Sequence, residues 1–408
     1  MGLSRNKIED KPRLLIVLNR FVIGGQAVDT LPLAYFLRAD FEILILYGEK
    51  EKDEIEPQFL LEKYPGLKLK KISHLRRSVN PFTDIIAFAR LIYTIIRFKP
   101  HIVHTHGAKS GFLGRVAAWV CKAPVIVHTF HGHFFHSYFS KNISRFIAAI
   151  ERRTGKITTA AVALSIAQKK ELVEEYKILP ASKIAIIPLG FAYEANNNQS
   201  YLRNAFRNKY GLQNKDIAIA IIGRIVPIKN HLFFIQVIKE IRSSNVSSRA
   251  AFFIIGDGQL RKQVEDELSK QQILFNHEKI TRESRVVFTS WITNINEVMN
   301  GLDIVTLTSL NEGTPLSIIE AQFFKKPVVS TNVGGVKDTM EDAKTGFLVQ
   351  KDDVKSFSEK ITLLISNEDL RVRMGEEGYK FAEQRFSKQK EVDKTKEFYF
   401  SLLKQKGF

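Results

Sequence analysis

Short apolar runs rich in β-branched residues recur along the chain, at 14–18, 41–47, 67–72, 102–105, 125–130 and 160–164. Longer segments of helical period separate them, at 27–38, 81–98, 110–120 and 143–153. Strands that alternate with helices predict a parallel sheet covered on both faces. A second series follows, with strands at 217–222, 251–255, 286–289, 304–307 and 328–330. Between the two series, residues 189–210 hold the polar run Glu194-Ala195-Asn196-Asn197-Asn198-Gln199-Ser200, which reads as a linker. The pattern therefore predicts an α/β chain of two Rossmann-like, doubly wound domains, 1–190 and 211–385, joined by a linker at 191–210 and facing across a cleft. A last amphipathic segment, 386–408, carries Val392, Thr395, Phe398, Tyr399, Leu402 and Leu403 at helical spacing.

Composition supports two sizeable cores, since 44% of the 408 residues are apolar. The single cysteine, Cys121, rules out an intramolecular disulfide. The polar start and the lack of any apolar run near 18 residues predict a cytoplasmic protein without a signal or a membrane span. Charge changes the picture further. Of the net +18, +17 falls within 63–170, where 19 Lys and Arg meet only Asp84 and Glu151. An acidic partner is implied for the first half, and an anionic membrane surface, a polyprenyl diphosphate or nucleic acid all fit on charge alone. No zinc, RNP or basic-zipper motif is present, so nucleic acid is not expected; the basic segment suggests peripheral contact with the inner face of a membrane.

The candidate chemistry centres on 311–320, Asn-Glu-Gly-Thr-Pro-Leu-Ser-Ile-Ile-Glu. Thr314 reads as an N-cap, Pro315 as the first helical residue, and Gly313 as a point of close backbone approach. The free N–H groups of Leu316 and Ser317 then favour an anion at the helix start. Glu312 before that helix and Glu320 on its second turn flank the anion with carboxylates, which suits a nucleotide sugar. Arg224 and Lys229, two and seven residues after a buried strand, are placed to neutralise a diphosphate. Gly256 and Gly258 bracket Asp257 in a tight turn, and Trp291 follows the next strand, where it could line a base pocket. Gly24 and Gly25 close the first strand, predicting a turn of positive φ near a phosphate or acceptor. There is no three-glycine dinucleotide fingerprint, which counts against a dehydrogenase, and no Asp-x-Asp pair; neither metal nor cofactor is expected. Four histidines lie at 128, 131, 133 and 136, but strand alternation splits them between faces and no nearby acid or cysteine completes a zinc shell.

These residues resemble the family 4 glycosyltransferases, retaining enzymes of the two-domain GT-B fold, in the Glu-x7-Glu spacing of Glu312 and Glu320. The resemblance extends to 223–230, 256–258, 333–336, Gly24-Gly25 and 128–133. It implies a nucleoside-diphosphate sugar donor, UDP-linked by preference, whose diphosphate meets Arg224 and Lys229. Glu320 would hold the ribose, and Glu312 with the backbone of Gly313 and Thr314 the transferred sugar. His131 matches the family's strand-end histidine near that sugar, with His133 the runner-up. It also implies a glycan or polyprenyl-diphosphate-linked acceptor, a role in surface polysaccharide or lipopolysaccharide assembly, and a final helix that crosses back to the first domain. A helix packed only on the second domain is the competing reading for 386–408. A nucleotide-sugar 2-epimerase of the same fold is the alternative activity, and a nucleic-acid-binding protein a more distant one.

Overall fold

The computed structural model describes residues 11–51, 54–131, 141–194 and 198–408. The first sheet contains β1 (Arg13–Leu18), β2 (Glu42–Tyr47), β3 (Lys68–Lys71), β4 (Ile102–His106), β5 (Val125–Phe130), β6 (Ala160–Ala163) and β7 (Ile184–Ile186), in the order β3-β2-β1-β4-β5-β6-β7. The second contains β8 (Ile217–Ile222), β9 (Ala250–Ile255), β10 (Phe275–Asn276), β11 (Val286–Ser290), β12 (Ile304–Leu307), β13 (Val328–Thr331) and β14 (Gly346–Val349), in the order β10-β11-β9-β8-β12-β13-β14. Every pairing in both is parallel. Strand order reverses between β1 and β4 in one sheet and between β8 and β12 in the other. Open α/β sheets bind ligands beyond the carboxyl ends of strands at such reversals.

Continuous apolar runs are needed because both faces of each strand are covered. In β8, Ile217, Ile219 and Ile221 enter one core, while Ala218 and Ala220 face the other, where Phe206, Tyr210 and Phe253 fill the space the small alanines leave. Phe206 belongs to a helix, Gln199–Lys209, so part of the stretch expected to be a linker is a structural layer of the second domain. Its polar composition hid a few buried residues, and that was enough to anchor it.

The helix Lys388–Gln405 completes the first domain. Val392, Tyr399, Leu402 and Leu403 pack among Leu14, Ile16, Phe41 and Ile102. At its start, Lys388 Nζ lies 2.9 Å from Asp29 Oδ1 and 2.5 Å from Glu391 Oε2, all three side chains buried. Burial opposes the ammonium charge, yet the two carboxylates more than offset that and hold Lys388 protonated. The chain is stitched at this point by Phe191 N–H donating to Phe386 O at 2.7 Å and Lys388 N–H donating to Phe191 O at 3.1 Å. Among the described residues, no helix is long and apolar enough to cross a membrane.

The carboxyl ends of the two sheets approach each other. The short helix Ile166–Lys170 after β6 lies against Gly334–Asp338 after β13, and a cavity of about 520 Å³ between them is lined by Ile166, Lys170, Glu174, Lys337 and Asp338.

Candidate functional site

Two loops of the second domain build one charged cluster. After β8 the chain turns through Gly223 and Arg224 into a 3-10 turn, Pro227–Lys229. After β12, Thr308 Oγ1 donates to the carbonyls of Lys229 (2.9 Å) and Asn230 (3.1 Å), and Leu310 N–H donates to Ile228 O (2.8 Å). These bonds fix one loop on the other. As a result Lys229 Nζ sits 2.6 Å from Glu312 Oε1, which also accepts from Ser309 Oγ at 2.6 Å. Both ionic side chains are part-buried, so neither is an ordinary solvated loop charge. Arg224, from the same loop, is exposed.

The helix after this cluster begins one residue later than the sequence suggested. Pro315, at φ −73° and ψ 109°, is the N-cap, the helix is Leu316–Phe323, and no side chain caps it; Thr314 does not. Ile318 N–H is the first to reach back to Pro315 O, so the N–H groups of Leu316 and Ser317 stay outside the ladder. Glu320 lies on the second turn. Its carboxyl makes no hydrogen bond or ion pair with any described residue, and burial pushes that group up to about 8.

Glycines hold these loops together from behind. A Cβ on Gly334 (φ 51°) would lie 2.2 Å from Glu312 O, and one on Gly335 would lie 1.8 Å from Gly313 O. Gly335 N–H donates to Glu312 O at 2.9 Å. Gly256 and Gly258 have a similar role: their Cβ atoms would fall 2.0 Å from Gly223 O and 2.4 Å from Ile225 O. Backbone, not ligand, occupies the space their missing side chains leave. Asp257 between them accepts from Arg261 Nη1 (2.8 Å) and Ser290 Oγ (3.2 Å), and Trp291 follows β11 half-buried.

The first domain contributes a neutral cluster. His131, just past β5, has Nε2 at 2.7 Å from Nδ1 of His106 at the end of β4. His106 stacks on His104 with ring centroids 4.3 Å apart, and His104 Nε2 lies 2.7 Å from Thr129 Oγ1. Burial lowers all three imidazoles, His104 to about 3, so they are uncharged at neutral pH. His128 faces away, bonded to Thr105 Oγ1 and packed so closely on Gly111 that a Cβ there would meet it at 2.5 Å. His133 and His136 lie outside the described residues. Gly24 corrects the expected turn. Its φ of 165° is extended backbone, and Gly25 already starts the helix Gly25–Leu37. Nothing lies within 4 Å of a Cβ built at either, so the pair opens space at the end of β1.

With that geometry in view, the matches to known proteins fall into two halves. The model described as Glycosyltransferase Family 4 matches residues 23–194, and that described as Glycosyl transferases group 1 matches 203–381. The chain belongs to glycosyltransferase family 4. This glycosyltransferase is 28% identical over 333 residues to the UDP-Gal:alpha-D-GlcNAc-diphosphoundecaprenol alpha-1,3-galactosyltransferase of Escherichia coli, covering 81% of this chain and 83% of the relative. It is 27% identical to the capsular polysaccharide biosynthesis glycosyltransferase CapM of Staphylococcus aureus, covering 81% and 84%. Its fold is similar to that of Anabaena HepE, solved with UDP and glucose, at a TM-score of 0.78 and 17% identity over 96% of this chain and all of that one. The shared two-sheet architecture is the GT-B fold, and the epimerase alternative gains no support.

The structure brings together Lys229 and Glu312 among the residues named from the sequence; Thr308 and Ser309, which hold that pair, and His106, which contacts His131, were missed. His106 left one signal, as the last residue of an apolar strand. Thr308 and Ser309 left none.

Proposed function

We propose that the protein is a retaining, metal-independent transferase that moves a sugar from UDP to a hydroxyl of a lipid-linked or glycan acceptor in surface-polysaccharide assembly. The Lys229–Glu312 pair, set before a helix with free N–H groups, carries this reading. A donor diphosphate would lie on Lys229, Arg224 and the N–H groups of Leu316 and Ser317. Lys229 is then shared between Glu312 and the leaving phosphate, and stabilises the charge that grows there. Glu320 meets the ribose, whose hydroxyls supply the partners its carboxyl lacks. Trp291 lies towards the base, with Gly256 and Gly258 shaping the turn beside it. Glu312 and the Gly313–Thr314 backbone hold the sugar, with His131 above it and the space at Gly24 and Gly25 left for acceptor. Retention follows from attack on the face the diphosphate leaves, with a departing phosphate oxygen taking the acceptor proton. The names of the relatives support both the UDP-linked donor and the diphosphoundecaprenol type of acceptor.

An acceptor of that kind sits in a membrane. On the helix Pro81–Phe98, started by Pro81 and capped by Asn80 Oδ1 accepting from Phe82 N at 3.1 Å, the outward stripe is apolar. Phe82 is 82% exposed, Ile85 67% and Tyr93 60%, and Trp119 on the neighbouring helix is 57% exposed. Arg90 and Arg97 share that outward face. We therefore place the protein at the inner face of an anionic membrane. Cosedimentation with anionic vesicles should fall as salt rises; equal recruitment by neutral vesicles would exclude electrostatic docking.

The test of the reaction is transfer from a panel of nucleotide sugars to a diphosphopolyprenyl-linked sugar, with and without EDTA, the anomer read by NMR. An inverted anomer, loss of activity in EDTA or preference for another base would each overturn the corresponding clause.

A further inference from the structure

The transfer site uses one end of the second sheet; the opposite end is also charged. Just ahead of β8, β9, β12 and β13 the chain places Asp216, Arg249, Asp303 and Lys326. The six residues of β8 put this end roughly 20 Å from Gly223. With Arg203 and Lys215 these residues line a cavity of about 350 Å³.

Two of its three carboxylates, Asp303 and Asp216, are already committed, and the third, Glu368, is exposed to solvent 4.0 Å from Arg371 Nη2. Asp303 accepts from Arg203 Nη2 (2.7 Å), Arg207 Nη1 (3.2 Å) and Ala218 N (2.8 Å), and Asp216 accepts from Arg285 Nη2 (2.8 Å) and Gln213 N (2.7 Å). Of the cations, Arg203 is bound to Asp303, Lys325 pairs with Glu376 and Arg371 donates to the carbonyls of Leu364 and Ile365, whereas three are largely uncommitted. Lys326 and Lys215 make no side-chain hydrogen bond or ion pair with any described residue, and Arg249 gives only its Nε, to Lys215 O at 3.4 Å. Burial lowers the Lys326 ammonium to about 8; Asp303 works against that, and Arg203 and Arg207 add to it. A part-buried lysine with no direct ion pair, in the same cavity as an arginine whose Nη groups are uncommitted, is an electrostatic cost that a bound oxyanion would reduce.

We propose that this cavity binds a phosphate-bearing anion of about the size of diphosphate, separate from the transfer cleft. Arg249 offers a planar pair of donors, Lys326 a point charge from the floor, and Lys215 a third cation from the rim. The volume suits a small polyanion with its water better than a whole nucleotide sugar.

The probe is sodium diphosphate, titrated calorimetrically into the full chain. The cleft also attracts diphosphate, so Lys229→Met serves as the parent in which only the new site remains. That parent should bind one equivalent, and at pH 8 its heat should depend on the buffer, because binding drives Lys326 to take up a proton. Adding Lys326→Met or, as a surface change that leaves folding alone, Arg249→Gln should weaken binding at least tenfold. Lys326→Met in an otherwise unaltered chain should transfer sugar at the normal rate. A nucleoside diphosphate binding no better than diphosphate assigns recognition to the phosphates alone; tighter binding names a nucleotide as the source, and either result keeps the site. Heat of dilution only in the Lys229→Met parent, or undiminished binding in both further variants, overturns it. Neither outcome depends on which donor base the cleft prefers.

Discussion

The strand ends of the two sheets are furnished with opposite chemistry. Beyond β8 and β12 lies an ion pair, Lys229 with Glu312, held by hydroxyls of Thr308 and Ser309. Beyond β4 and β5 lies a stack of imidazoles that burial keeps neutral. On the proposed reading, a permanent charge suits the half that would hold the donor, where the diphosphate would gain negative charge as the sugar leaves. A neutral, hydrogen-bonding wall is suited to the other half, where hydroxyls must be met without binding stray anions. One parallel-sheet architecture thus supports both, because the side chains after each strand are chosen independently of the layers that carry them.

The strongest way to break this contrast is to loosen the mount on which it depends. Lys388→Met leaves Asp29 and Glu391 buried without their counter-ion, and should destabilise the protein by about 3–5 kcal/mol in chemical denaturation. A change under 1 kcal/mol would mean the three groups are not a closed buried unit.

Next comes the charged side itself. Lys229→Ala should raise the barrier to transfer by about 2–4 kcal/mol, read as kcat/KM, the scale for losing a preorganised charge contact. Normal turnover in that variant would remove the diphosphate role.

A finer division separates the two glutamates. Glu312→Gln should lower kcat, since the contact strengthens as the sugar leaves, by about 2 kcal/mol as for one charged hydrogen bond. Glu320→Gln should chiefly raise the donor KM, because the ribose does not change in the reaction. If both change only KM, Glu312 is a binding residue and the contrast between the sheets weakens.

A pH dependence is the effect that is smallest at any one step. Glu320 has its folded-state pKa raised to about 8 by burial, so the folded protein holds a proton that the unfolded chain releases. Its contribution to stability is full below the ordinary carboxylate range and is lost as pH rises towards 8. Between those limits one proton gives a slope of at most about 1.4 kcal/mol per pH unit. Glu320→Gln should flatten the curve there, measured by denaturant unfolding from pH 5 to 9. An unchanged slope would show that the carboxyl is already ionised at neutral pH.

How much of this was legible depended on sequence distance. Alternating apolar runs and helical periods gave most of both sheets, but β7 and β10, three and two residues long, are too short to leave a period, and the four-residue β14, which starts on Gly346, was missed as well. The spacing from Glu312 to Glu320 is local, running from a loop into the helix that follows it, and could be read directly. The bond between Lys229 and Glu312 joins residues 83 apart and exists only because β8 and β12 are neighbours. Gly256 and Gly258 read as a tight turn, but the sequence carries no sign of what lies against them, the carbonyls of Gly223 and Ile225. A one-dimensional pattern marks where bulk is forbidden without saying what excludes it.

The closing helix has a consequence for how the chain comes into being. Leu402 and Leu403 are core residues of the domain that begins at β1, so that domain lacks part of its interior until this helix has been made. The second domain, by contrast, has the residues of its sheet and covering layers in the chain before residue 388 is added. The order of completion therefore runs against the direction of translation: the half made second has its parts first, and the half made first waits for a helix that follows both. Truncation just before residue 388 would leave the later half whole and the earlier one with an open apolar face.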